Sequence, residues 1–549
     1  MRRHVAIVGG GIAGLSAALA LNDALGDGVT LTVVEQSDRL GGKLRTGAVG
    51  RRVVETGAET FLTREADDPN GAPSAAVELV GRVGLGGSLR YPATLAAAMY
   101  AAGEFRSIPT GTLMGVPADV SSWPGIGGAA RAIDTDHDDG RPILAVGDDV
   151  AVGALVRRRY GNAVVDDLVD PLLGGVYAGR ADDLSVAVTM PGLAAACRTE
   201  RTLQAAVQAT LARRVAAPPD GGPALGGGPA LGHGSRGMAS RDLASGTGGS
   251  GFASGVGATL ERAFASGGDI ASGDIGTGDV GTGGGVAVPG TGGDNRAAMP
   301  AFATIDGGLS RLVAAIDKAL PSATMVLGRP VRNVARSNGG WRVMHGSTTD
   351  AHALDVDAVV LAVPSHPAAR LLAPISPASA EAVGMLDYAS IALVTLVLPA
   401  HALDDTPLAG RSGALVPATA GHAIKAVTVF STKWVNQPDG AVLLRASLGR
   451  YGDEQVLQTS DEGLIDLVRT DLGELLGGPL ADPRHAAVTR WGGALPQYAP
   501  GHLDRVRIAR DALPSTIVLA GAAYDGVGIP ACIRSGWRAA AQLIEVLQS

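Results

Sequence analysis

Short apolar runs and one helical period open the chain. Residues 4–8 form a continuous apolar-rich run, residues 12–25 repeat apolar positions at a helical spacing, and residues 29–34 form a second run ending at Glu35. Glycines separate the first run from the helix, so the pattern predicts a β-α-β unit at the start of a doubly wound parallel sheet. From Ala75 to about Ala209 the spacing turns helical, as over 150–159 and 164–169, with Gly and Pro loops between. Beyond Phe302 the text IDGGLSRL predicts a turn feeding a helix over 309–320, followed by strands near 325–327, 331–334, 341–343 and 358–363. Runs at 391–398 and 441–447 predict a second sheet. The last sixty or so residues return to the parallel-sheet signature, with a strand over 516–520 and a helix over about 531–547.

The interval 213–300 breaks this order. It collapses into Gly, Ala, Ser, Thr and Asp and holds roughly a third of the 80 glycines of the 549-residue chain. Such a composition cannot bury enough apolar surface to offset its ordering entropy, so a mostly disordered insertion is expected. The repeats around SGGDIASGDIGTGDVGTGGG raise a calcium-binding β-roll as an alternative, but its nonapeptide register is absent.

Charge narrows the partners. Lys and Arg total 45 against 53 Asp and Glu, a net charge of -8, so there is no cationic excess for a phosphate backbone and nucleic acid is excluded as the expected partner. Two cysteines, Cys197 and Cys532, make no disulfide framework and fit a reducing compartment. Arg2 and Arg3 before an apolar stretch superficially suggest a secretory signal, but Gly9, Gly10, Gly11 and Gly14 fit a strand-turn-helix unit instead. No later window has the apolar length of a membrane span. A soluble, cytoplasmic protein is expected, with membrane contact at most peripheral.

The chemistry sits in the glycines. Gly9, Gly11 and Gly14 make GxGxxG between strand and helix, and Glu35 closes the second strand. Gly9 permits a tight turn, Gly11 lets backbone approach a pyrophosphate, Gly14 permits close helix packing, and Glu35 accepts ribose hydroxyls. RLGGK at 39–43, with Arg45 beyond, and ETGAET at 55–60 extend the glycine pattern. His366, His422, His485 and His502 show no paired spacing, so no metal site is expected, and there is no GxSxG elbow.

RLGGK and ETGAET resemble the flavin-dependent amine oxidase superfamily. The C-terminal LAGAAYDGVGIPACIRSGWRAA at 519–540 resembles the final flavin-binding motif of the protoporphyrinogen/coproporphyrinogen oxidase family. PLLGGVYAGRADDLSV at 171–186, TKWVNQP at 432–438 and WGGALPQYAPGH at 491–502 agree. The resemblance spans nearly the whole chain except the glycine-rich insertion, which departs from the usual family length.

The resemblance implies a fold and a reaction. The fold would be α/β: a Rossmann-type FAD-binding domain with a mixed-sheet substrate domain and a helical subdomain. It implies FAD contacts at Gly9, Gly10, Gly11, Ile12, Ala13 and Gly14, at Glu35 and Gln36, and at Lys43. It also implies contacts at Gly57, Ala58, Glu59 and Thr60, at Val331 by its backbone, at Trp491, and at Val527, Gly528 and Ile529. The activity implied is six-electron oxidation of a porphyrinogen to a porphyrin, with oxygen reduced to hydrogen peroxide. Coproporphyrinogen III is favoured over protoporphyrinogen IX, because a protein without an anchor suits the more charged substrate and the match is closest to the soluble bacterial branch. No side-chain acid or base is demanded. Arg64, in TFLTRE, is the candidate for orienting a substrate propionate, and a transient contact with the next haem-pathway enzyme is a further expectation. A covalent flavin link through Cys532 is disfavoured. The rivals are a flavin amine oxidase or carotenoid desaturase, and a flavin-free binding protein like the GDP-dissociation inhibitors. The expected segments are 1–62, 301–372 and 482–549 for the FAD domain, 63–212 and 373–481 for the substrate region, and 213–300 for the insertion.

Overall fold

The computed structural model describes residues 2–65, 72–120, 136–215, 300–434 and 440–549. Almost all of the 213–300 insertion therefore lies outside the described residues, and the β-roll alternative with it. The chain begins with β1 (Arg3–Val8), α1 (Ile12–Leu25) and β2 (Val29–Val34), then passes through β3 (Ala97–Ala101), β4 (Glu104–Ser107) and α2 (Asp170–Tyr177). After the insertion come β5 (Thr324–Val326), β6 (Ala358–Leu361), β7 (Tyr388–Ala400), β8 (Gly413–Leu415) and β9 (Ile424–Val429). The last elements of interest are β10 (Ala441–Leu448), α3 (Asp461–Leu476), β11 (His485–Pro496), β12 (Ile517–Leu519) and α4 (Ile529–Gln548).

Five strands form a parallel sheet in the order β5-β2-β1-β6-β12. Both faces are covered, which is why these strands read as continuous apolar runs rather than alternating ones. Val5 and Ile7 pack on one side with Leu15 and Leu19 of α1 and Ile533 of α4. Ala6 and Val8 pack on the other with Val359, Leu361 and Leu519. Gly536 lets α4 lie directly on α1, since a Cβ there would stand 2.2 Å from the Ala13 carbonyl oxygen. The C-terminal helix is thereby fixed against the first glycine turn, although more than 500 residues separate them.

The second sheet has seven strands in the order β11-β7-β10-β9-β8-β3-β4. One face buries Val394, Leu396, Val427 and Leu444 against Leu464, Val468 and Leu472 of α3. The other face looks toward α2 and the glycine-rich turns. Two of its strands correct the expectation of helix over 75–209: β3 and β4 lie there and close the edge of this sheet. The run AAMYA in β3 is alanine-rich and carries little strand propensity, so its pairing with β8, and not its own sequence, makes it a strand. Among the described residues no helix is long and apolar enough to cross a membrane.

Candidate functional site

The site is assembled at the ends of β1 and β2. Gly9 has φ +109°, and a Cβ there would meet the Ala362 carbonyl oxygen at 2.4 Å, so the tight turn excludes a side chain. Gly14 would strike the Gly9 carbonyl oxygen at 2.1 Å. Gly11 differs: a Cβ built on it meets nothing within 4 Å, and as N-cap of α1 it offers no side-chain cap to the helix. Open space in front of uncapped amides at a helix start, which includes Ile12 and Ala13, fits an anionic pyrophosphate.

The acidic end of β2 is already organised. Glu35 is buried, its Oε2 accepts from Gly10 N at 2.7 Å, and its Oε1 accepts from the backbone and hydroxyl of Ser37. Oε2, which accepts one bond only, keeps acceptor capacity for a ribose hydroxyl. Arg329 N donates to the Glu35 carbonyl oxygen, which brings the segment leading into Val331 alongside. The Gln36 side chain is exposed.

The next motif stacks on the first. Gly41 N donates to Gly10 O at 2.8 Å, and a Cβ on Gly42 would lie 3.2 Å from Gly11 Cα. Arg39 turns its guanidinium onto the carbonyls of Leu40 and Gly42, so this cation shapes the turn. Ala58 N then donates to Lys43 O, and a Cβ on Gly57 would come within 2.1 Å of that same oxygen. Trp491 joins here, its Nε1 donating to the Thr56 carbonyl at 2.6 Å. Of the turn's last residues, Thr60 is partly buried, while Glu59 is sunk beneath the surface and turned toward the second sheet.

That turning was not foreseen. Glu59 pairs with Lys433 at 2.9 Å and Arg445 at 3.0 Å and accepts from Trp434 Nε1 at 3.0 Å. Burial alone would raise its carboxyl, but the two cations reverse this and hold it below its ordinary value. Arg445 also donates to the Glu55 carbonyl.

The C-terminal motif closes the site. Gly526 and Gly528 have φ +110°, placing Val527 on a sharp turn before Ile529, the first residue of α4. Lys43, whose ammonium lies 5.6 Å from the Tyr388 ring, is buried beside Cys532 of α4, and burial pulls its pKa down. Burial pushes the Cys532 thiol up to about 11, so it is protonated at neutral pH and unsuited to nucleophilic attack. Asp525 anchors this turn: it is 3% exposed and accepts from Arg510, Arg538 and Ser535. Asp525 and its partners were also missed, because they meet only in space.

The structure thus gathers Gly9 to Gly14, Glu35, Lys43, Gly57 to Thr60, Trp491 and Val527 to Ile529 around one region. Arg64 sits at its border, bridged to Pro73 and followed by Glu65, which pairs with Arg534 of α4. No group of three or more metal-binding side chains occurs among the described residues.

The flavin containing amine oxidoreductase family model matches residues 12–544. A coproporphyrinogen III oxidase of Mycobacterium bovis is 32% identical over 100% of this chain and 98% of its own. One from Bacillus subtilis is 28% identical over 100% and 99%. A crystal structure of a "putative protoporphyrinogen oxidase" from Exiguobacterium sp. 255-15 superposes with a TM-score of 0.72 at 24% identity, covering 99% of each chain. The chain belongs to the flavin containing amine oxidoreductase family and, within it, groups with the coproporphyrinogen III oxidases.

Proposed function

We propose that the protein oxidises coproporphyrinogen III to coproporphyrin III, with FAD as cofactor and three molecules of oxygen reduced to three of hydrogen peroxide. The observation that carries this reading is the end-to-end match to coproporphyrinogen III oxidases in chains of nearly the same length. The open space before the uncapped amides at Gly11 supports the cofactor part of it, since that arrangement suits a pyrophosphate.

Bound FAD supplies hydride acceptance and its own reoxidation by oxygen. The chain's residues do the rest. The amides of α1 hold the pyrophosphate, Glu35 the ribose, and the segment at Val331 the adenine. Gly57 to Thr60, Lys43, Trp491 and Val527 to Ile529 frame the ring. The α4 N-terminus, uncapped by any side chain, offers positive potential to negative charge gathering at the ring edge. The face of the second sheet that looks toward α2 orients the macrocycle together with α2, and Arg64 meets a propionate at the border. The parallel sheet and the elements packed on it, Ala75 to Val80 among them, form the cofactor domain, and the seven-stranded sheet, which takes in His485–Pro496, forms the substrate region with α2, so the expected boundaries at 62/63 and 481/482 shift. The enzyme works in the cytoplasm and passes its product by transient contact to the enzyme that uses it next.

The test is direct. The purified protein should be yellow, with stoichiometric FAD, and should turn coproporphyrinogen III into its fluorescent porphyrin with oxygen uptake. Colourless protein, or flavoprotein that oxidises amines and not porphyrinogens, refutes the reading.

A further inference from the structure

One charged side chain stands apart from every network described so far. Lys425 is 5% exposed, and its ammonium has no hydrogen-bond or ion-pair partner among the described residues. Natural interiors seldom keep a lysine in that state, because an unpaired buried charge costs stability.

The sheet tells which way it faces. The register of β9 against β10 slips between Ile424, opposite Leu448, and Ala426, opposite Ser447, so Lys425 is the extra residue of a β-bulge. Ile424, Val427 and Val429 pack into the core under α3. Lys425 and Ala426 therefore share the other face. Ala426 pairs with Leu415 of β8, whose Cδ2 would lie 2.9 Å from a Cβ on Gly175 of α2, so this face looks at α2. Farther along the same face Thr428 pairs with Arg445, which holds the Gly57–Glu59 turn. Three residues of strand, on the order of 10 Å, separate Lys425 from that position.

The surroundings leave the lysine free for an anion. The charged group that acts on it is Arg450, which donates to the carbonyls of Val416 and Ile424 and is itself answered by Asp170, Asp453 and Asp471. Those carboxylates answer Arg450, and none is bonded to Lys425. Asp170 accepts from Ala181 N and Asp471 from Ile424 N.

We infer that Lys425 receives a carboxylate of the substrate on the sheet face toward α2, at the end remote from the Gly57–Glu59 turn. This deepens the functional reading and rests on it. The bulge serves to turn a cation onto the face toward α2 without interrupting the apolar face under α3. Burial pulls the free ammonium down to about 7, whereas a bound carboxylate favours the charged form. Affinity is thus highest below that value and falls as pH rises through it.

The experiment titrates coproporphyrin III, by fluorescence, into the wild-type flavoprotein and the Lys425→Met and Lys425→Gln variants between pH 6 and 9. Both variants should bind about tenfold more weakly at pH 6.5 and show a flat profile, while wild-type affinity falls above pH 7. Flavin content should be unchanged and the melting temperature equal or higher, because an unpaired buried charge has been removed. A purely structural lysine would lower both. Wild-type affinity and pH profile retained in both variants, or loss of flavin with a lower melting temperature, overturns the inference alone. Wild-type protein that binds no coproporphyrin overturns the functional reading and this inference with it.

Discussion

Arg445 Nη2 lies 3.0 Å from Glu59 Oε2, and this buried pair ties the second sheet to the glycine turn that follows Lys43. Lys433 and Trp434 hold the other oxygen. The contact makes the position of the Gly57–Glu59 turn, proposed to frame the cofactor, depend on the second sheet, so disturbing one disturbs the other.

Glu59→Gln keeps the shape and removes the charge, leaving Lys433 and Arg445 buried without compensation. Stability should fall by about 3 kcal/mol in urea unfolding, with loosened flavin. The wild-type carboxyl sits below its ordinary 4.5 because of the two cations, although burial alone would raise it. Its contribution is therefore fully present above pH 4.5 and is lost as pH falls through the lower folded value. The variant should lack this component of acid unfolding; an unchanged acid profile would show that the pair contributes nothing.

Gly11 and Gly14 belong to one motif and do different work. Gly11 has extended, negative-φ backbone and room for a side chain, so Gly11→Val should fold, with a circular dichroism spectrum like wild type, but emerge without flavin. Gly14→Ala drives a methyl into the Gly9 carbonyl and should lose fold and flavin together. Stoichiometric FAD in Gly11→Val would falsify the pyrophosphate assignment.

How much of this was legible depends on range. The strand runs around β1, β2 and β6 were readable because a sheet covered on both faces needs unbroken apolar stretches, and Gly9 to Glu35 carry their chemistry within one β-α-β unit. The helix before β5 was expected over 309–320 and occupies Ser310–Lys318, a difference of capping residues. The Glu59, Lys433 and Arg445 cluster was not legible, since its members are about 370 to 390 residues apart and each alone reads as a solvated charge. Lys425 was silent for a related reason: a bulge is set by the partner strand's register, which local sequence does not encode.

Asp525 precedes the Gly526–Ile529 turn and balances Arg510 and Arg538 while accepting from Ser535. Asp525→Asn should cost roughly 2–3 kcal/mol, less than a fully buried pair because both arginines keep some solvent. The turn it positions is one proposed to frame the flavin ring, so the flavin absorbance maxima should shift and the flavin dissociate faster on dilution. Spectra and release rates identical to wild type would make Asp525 a structural residue only.

Substrate choice follows from charge. Coproporphyrinogen carries four propionates, whereas protoporphyrinogen replaces two of them with vinyl groups and is the more apolar molecule. The region proposed for the macrocycle is framed by cations, with Lys425 within and Arg64 at the border, while the protein as a whole carries a net charge of -8. A local cationic field within an anionic protein favours the more highly charged substrate at the site and repels it elsewhere, which sharpens orientation on approach. Each exposed pairing contributes on the order of 1 kcal/mol or less and is screened over about 10 Å at 0.1 M salt. The ratio of kcat/KM for coproporphyrinogen over protoporphyrinogen should therefore exceed one at low ionic strength and shrink as salt is added. The part due to Lys425 should persist, because a buried pairing is screened far less than an exposed one. A ratio below one at every salt concentration would move the preference to protoporphyrinogen while leaving the flavin site as assigned.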